Sequence, residues 1–199
     1  MLNFPFEKES VQRLEQDGFT LVELLVVILF ATILGTLIAP SFVGLLNRIR
    51  LNEAASATYE VMRSAQIEAQ RQKLDIQASF RQDPTDATKL QYAIHPVLKD
   101  VNGNRTGNGI PANPGWQQGG RAVIEDDNIN GRCPTTFQKS SSSPICATPG
   151  PYYVTFNYFG EALNLGKITL STGSTAVRRC VTVSTLIGTL NTGLNNECD

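Results

Sequence analysis

The chain has 199 residues, 41% of them hydrophobic, with 17 basic and 18 acidic side chains and a net charge of −1. That length allows one or two ordinary domains, and the balanced charge gives no general pull toward nucleic acid or anionic lipid. The four cysteines form no Cys-x-x-Cys pair and lie far in sequence from His95, the single histidine, which does not fit the usual zinc spacings.

Residues 1–18 carry Lys8 and Arg13 against Glu7, Glu9, Glu15 and Asp17, and have no apolar core of their own. They are unlike a secretory signal peptide, whose apolar region precedes the cut. Residues 24–46 follow, 23 residues without a charge. At ~1.5 Å of helical rise per residue they reach roughly 35 Å, enough for the ~30 Å hydrocarbon layer of a bilayer. A segment in lipid must satisfy its own backbone groups, so a helix is predicted. Glu23 stands at the start of this run. A carboxylate there is costly and marks a function with a partner.

The junction Gly18-Phe19-Thr20-Leu21, with Glu23 as the fifth residue after it and a long apolar helix behind, resembles type IV pilins and the pseudopilins of type II secretion. Pro40 lies where such proteins bend their N-terminal helix. The resemblance implies that 1–18 is a leader removed by a prepilin peptidase, which cuts between Gly18 and Phe19 and methylates the new amino group of Phe19. It implies that Glu23 meets such an amino terminus when subunits pack in a filament, where pairing offsets the cost of a carboxylate in low dielectric. It also implies a bacterial inner-membrane protein with one span, its C-terminal head in the periplasm, later drawn into a pilus or pseudopilus.

The span 19–46 is thus expected to be the transmembrane and filament-core helix, and 47–82 its amphipathic continuation. Leu51, Ala55, Thr58, Met62, Ala65 and Ala69 recur at spacings of three and four and give one narrow apolar stripe. Its small residues would let a sheet approach closely. Asp83-Pro84 is expected to end the helix, because proline disfavours helical geometry before it.

Residues 83–199 read as a β-rich head with long loops, which makes the fold class α+β. Strands are predicted at 88–94, 121–124, 152–159, 167–170 and 176–186 from alternation and β-branched or aromatic content. The segments 100–120 and 128–151 are dense in Gly, Pro, Asn and Ser and read as surface loops. Cys133, Cys146, Cys180 and Cys198 beyond a membrane helix point to two disulfides in an oxidising space. Of the three possible connectivities the sequence-local one, Cys133–Cys146 with Cys180–Cys198, is favoured. Phe156-Asn157-Tyr158-Phe159-Gly160, then 166–170, 178–184 and Ile187-Gly188, are similar to the closing strands of GspH/FimT-type minor pilins.

Other candidate sites are sparse. Arg132, Arg178 and Arg179 are the cations available for DNA, but a phosphate-tracking surface needs several acting together, and neighbouring strand residues face opposite ways. Asp126, Asn128 and Asn130 place oxygens at alternate positions before Gly131, as in a calcium loop. The acid expected at the twelfth position is Phe137, so the segment reads as an Asx-rich turn. His95 has no serine or cysteine motif that recruits it, Trp116 is either a recognition tip or a loop plug, and 140–143 is a serine tract without catalytic context.

The sequence therefore predicts a structural subunit without cofactor or enzymatic activity: a minor pilin or pseudopilin that primes or tips a filament. Its partners would be other pilins, the prepilin peptidase, the inner-membrane assembly platform and, before assembly, lipid. The alternative is a DNA-binding minor pilin of a DNA-uptake apparatus.

Overall fold

A computed structural model describes residues 20–107, 109–125, 133–139, 150–173 and 177–198, with the side chains at 37–41, 138 and 139 outside that set. The first element, α1 (Leu21–Gln72), is a helix of 52 residues. Thr20 caps it: its Oγ1 accepts from the Glu23 amide at 3.2 Å, the arrangement expected of Thr-x-x-Glu at a helix start. Contacts divide the chain into two units, Met1–Val43 and Gly44–Asp199, with the boundary inside α1.

The second unit holds the core. The stripe expected on α1 is buried at every position, from Leu51 and Ala55 through Thr58 and Met62 to Ala65 and Ala69. Ala54, Val61 and Gln66 join it and widen the buried face. Thr58 satisfies its hydroxyl on the Ala54 carbonyl at 2.8 Å, so the one polar member of the stripe costs little.

The helix stops ten residues earlier than the expectation of a continuation to 82. Lys73 takes φ 59°, the left-handed geometry that commonly closes a helix. Strand β1 (Ile76–Gln82) then occupies what was read as the last helical turns. The reason is a change of period. Ile76, Ala78 and Phe80 alternate with Gln77, Ser79 and Arg81, and the apolar set faces the helix and core.

The remaining strands are β2 (Lys89–Pro96), β3 (Gln117–Arg121), β4 (Val123–Ile124), β5 (Gln138–Lys139), β6 (Tyr152–Phe156), β7 (Gly166–Ser171), β8 (Arg178–Val183) and β9 (Leu190–Leu194), with a short 3-10 helix at Asn195–Cys198. They form a five-stranded sheet ordered β3-β2-β1-β6-β5 and a four-stranded sheet ordered β4-β7-β8-β9. Every pairing between these strands is antiparallel. The fold is α+β, as the sequence predicted.

The strand expected at 121–124 is divided. The chain leaves the first sheet after Arg121 and enters the second at Val123. Gln82 spans the step, donating to the Ala122 carbonyl at 2.7 Å and accepting from the Ile124 amide at 3.0 Å. Two strands lie in segments read as loops, β3 over most of its length and β5, and β9 lies beyond the predicted strands.

Candidate assembly surface and head sites

In the first unit, the described side chains of α1 are exposed on every face. Leu21, Val22, Leu24, Leu25, Val27, Ile28, Phe30 and Leu34 each show more than half of their surface. A helix that is apolar all round is normally buried in a larger protein or in lipid. Thr32 and Thr36 return their hydroxyls to the Leu29 and Ile33 carbonyls at 2.8 Å, so these two polar side chains of the run are satisfied by the helix itself. Glu23 lies exposed in the first turn, where the helix dipole favours a negative charge. Pro40 lies within the helix, its side chain outside the described set. Among the described residues no helix is long and apolar enough to cross a membrane. The sequence run continues through Leu37, Ile38 and Ala39, where side chains are not described.

Gly18, Phe19, Asp126, Asn128, Asn130, Arg132, Cys146 and the serine tract 140–143 lie outside the described residues. Cys180 and Cys198 form a disulfide with Cα atoms 5.5 Å apart, which ties the C-terminal 3-10 helix to β8. Cys133 is also disulfide-bonded.

Of the arginines read as possible DNA contacts, the two that are described, Arg178 and Arg179, do not share one surface. Arg178 points its Nε to within 2.7 Å of Glu125 Oε2, and both side chains are largely buried. Its neighbour Arg179 turns the other way, half-buried beside Asn52, Ser56 and Thr192. Trp116 is half-buried under the Arg81 guanidinium, 4.1 Å from its ring centre, which fastens the 97–116 loop onto β1.

Sequence reasoning missed a buried polar cluster in the head. His95 is buried with Nε2 2.9 Å from Ser79 Oγ and Nδ1 3.0 Å from the Pro96 carbonyl. A carbonyl can only accept, so Nδ1 carries the proton and the serine hydroxyl donates to Nε2. Gln77 donates to Ser79 Oγ at 3.0 Å, and Arg105, from the covering loop, donates to Gln77 Oε1 at 2.8 Å and to Thr155 at 2.5 Å. Burial, chiefly, and then the Arg105 charge push the imidazole below its ordinary value. Ser79 and His95 touch as a nucleophile touches its base, but both are sealed from solvent. Only the strand register (Gln77 opposite His95, Ser79 opposite Ala93) brings them together, and no linear motif announces it.

Asp83 anchors the β1–β2 turn. Its carboxylate accepts from Gln118, Gln91 and both the amide and hydroxyl of Thr85, which holds it well below the usual carboxylate range. Asp86, bonded to Thr88 and paired with Lys89, is lowered to about 2.

Two crystal structures of the type IV minor pilin FimU from Pseudomonas aeruginosa are similar to this chain. One is 17% identical, covers 73% of this chain and 94% of its own, and has a TM-score of 0.43. The other is 20% identical with a TM-score of 0.45, over 75% of this chain and 92% of its own. No protein-family model and no curated protein sequence matches the chain. Likeness at this level transfers no residue's role.

Two loops of the head are stitched to the far end of α1. Gln66 Nε2 donates to the Gly160 carbonyl at 2.7 Å and to the Gly188 carbonyl at 3.3 Å, and Gln70 donates to the Phe159 carbonyl at 2.9 Å. Both glycines take positive φ, +85° and +78°. A Cβ on Gly188 would fall 2.6 Å from the Gly160 carbonyl oxygen, so that approach requires glycine.

Proposed function

We propose that this chain is a minor subunit of a type IV pilus or a type II secretion pseudopilus. It is made as a single-pass inner-membrane protein with its head in the periplasm and is then drawn into the filament. The observation that carries this reading is α1. Its first half is apolar on all faces, begins just after the Gly18/Phe19 junction, and holds Glu23 in its first turn. An exposed apolar helix of this kind needs lipid before assembly and sister helices after it. The prepilin peptidase would free and methylate the Phe19 amine, and Glu23 would pair with such a terminus. The head, with its buried stripe and disulfide, would face outward as a rigid body, and its place would be that of a low-copy subunit that primes or tips the filament. Such a subunit binds other pilins and the assembly platform and catalyses nothing. Mass spectrometry of the protein from peptidase-competent cells tests this. The expected species starts at methylated Phe19; a protein intact from Met1 would overturn the reading.

A further inference from the structure

Most cations of the head already have a partner. Arg178 pairs with Glu125, Lys89 with Asp86 and Lys99 with Asp75, while Arg81 and Arg105 are held by Gln91 and Gln77. Arg50 and Arg121 differ: both are exposed, and neither forms an ion pair or hydrogen bond among the described residues. Yet both line one open notch of about 240 Å³, together with Asn47, Thr88 and Thr172.

The walls of this notch come from separate places within the 44–199 unit. Asn47 and Arg50 are on α1, and Arg121 ends β3 at the step between the sheets that Gln82 fixes. Thr88 immediately precedes β2 and Thr172 immediately follows β7. Among the described residues no carboxylate lines it. Asp86, the acid two residues before Thr88, is taken by Lys89 and by Thr88 itself. Asp83 is taken by Gln91, Gln118 and Thr85. Glu53, one turn beyond Arg50, neither lines the notch nor pairs with Arg50. Two like charges thus share a small space with donors around them and no acid between them, an arrangement that an anion stabilises.

The position along α1 says which anion. Asn47 is the first residue after the uncharged run 24–46, and Arg50 stands four residues beyond Leu46, ~6 Å of helical rise. A bilayer of ~40–45 Å with a ~30 Å hydrocarbon layer leaves roughly 5–7 Å of head groups on each side. Where the run fills the hydrocarbon, Arg50 is at the level of the lipid phosphates. Arginines at the end of a spanning helix commonly reach for that layer, which accounts for Arg48 and Arg50. It does not account for Arg121, which the sheet brings to the same notch.

We propose that this notch binds the phosphate of a membrane phospholipid head group. The forked guanidinium groups of Arg50 and Arg121 match phosphate oxygens, and the Thr88 and Thr172 hydroxyls and the Asn47 amide supply further donors. The bound lipid would hold the head against the bilayer surface before assembly. The site rests on the reading of α1 as membrane-inserted and names the lipid group that the head itself would contact.

The test is native mass spectrometry of the full chain in an uncharged maltoside detergent, titrated with phosphatidylglycerol. The wild type is expected to retain the phospholipid, and Arg50→Gln and Arg121→Gln each to weaken retention by about fivefold or more. Both arginines are exposed and unbonded, so the melting temperature without lipid is expected to hold in both variants. Arg48→Gln removes the same charge two residues from Arg50 but outside the notch, and is expected to weaken retention by less than about twofold. If Arg48→Gln weakens it as much as Arg121→Gln, the attraction is diffuse and the site is wrong. If inorganic phosphate at the same concentration raises the melting temperature as far as the lipid does, the ligand is a free anion and the lipid assignment is wrong. The terminus found on the chain separates this from the filament reading. No lipid retained by a chain that starts at methylated Phe19 sinks the notch alone, whereas Arg121-dependent retention by a chain intact from Met1 keeps the notch and sinks the filament.

Discussion

The Ser79 hydroxyl donates to His95 Nε2 across 2.9 Å, and the pair is closed over by the loop that carries Arg105. A proton added at Nε2 would turn that acceptor into a donor. Ser79 already accepts from Gln77, and its displaced hydroxyl proton would need a new acceptor in a buried site. The nearby cation, Arg105, opposes the charge, and the Asp75–Lys99 pair at the start of β1 neutralises itself.

Folding therefore disfavours the charged imidazole, and the unfolded chain binds its proton first. Stability is full above the ordinary imidazole value of about 6.5 and declines as pH falls below it, by at most ~1.4 kcal/mol per pH unit. Asp83 and Asp86 stay ionised throughout this window, being held low. Melting temperatures at pH 7.5 and 5.5 should differ for the wild type and converge for His95→Gln. Equal slopes for the two proteins would remove His95 from the account.

On α1, Ala65 and Ala69 are fully buried among Phe80, Val154 and the other core residues of the sheets. Their smallness sets the distance between helix and sheet. Ala65→Leu should cost ~1–3 kcal/mol by overpacking, and Met62→Ala ~2–5 kcal/mol by leaving a cavity. The equivalent change at exposed Ile67, Ile67→Ala, should move stability by less than ~0.5 kcal/mol. Chemical denaturation of the three variants checks the order.

This stripe was legible because a 3.6-residue period kept over six positions is the mark of a helix with one buried face. Strand β1 was not, because its alternation follows the alanine-rich stripe with no Gly or Pro between them, and the first such signal is Pro84. No strand is predicted at β9 because Asn-Thr-Gly is turn composition, and only pairing with β8 makes it a strand. The Ser79–His95 contact depends on register between strands, which no single segment encodes. At the N-terminus the helix was legible, since a long uncharged run is a signal carried by consecutive residues.

The Cys180–Cys198 bond closes a loop with a sequence separation of 18 around β9. Restricting the unfolded chain in this way is worth about 3 kcal/mol in the loop-entropy account. Cys198→Ser should lower stability by ~2–4 kcal/mol and expose Asn195–Cys198 to proteolysis first. Hydrogen bonds, such as that from Lys167 to the Cys198 carbonyl, would then be what holds this end. A protease-sensitivity series followed by mass spectrometry reads the site. Cleavage that begins elsewhere at the wild-type rate would show that the bond does not hold this end.

Glu23 has two physical roles that one substitution can separate. As the third residue of the helix it completes Thr20-x-x-Glu23 and lies favourably in the dipole, which any hydrogen-bonding side chain of its length supports. As a charge it could pair with an amino terminus, which only a carboxylate supports. Glu23→Gln keeps the first role and removes the second. The helix content of the variant in detergent should match wild type, with any change in the helix start below about 1 kcal/mol. Incorporation into filaments should fall tenfold or more, because an unpaired amine would then be left among apolar helices. Glu23→Ala should lose both. If Glu23→Gln enters filaments as wild type does, Glu23 is a helix-start residue and the pairing has no part in assembly.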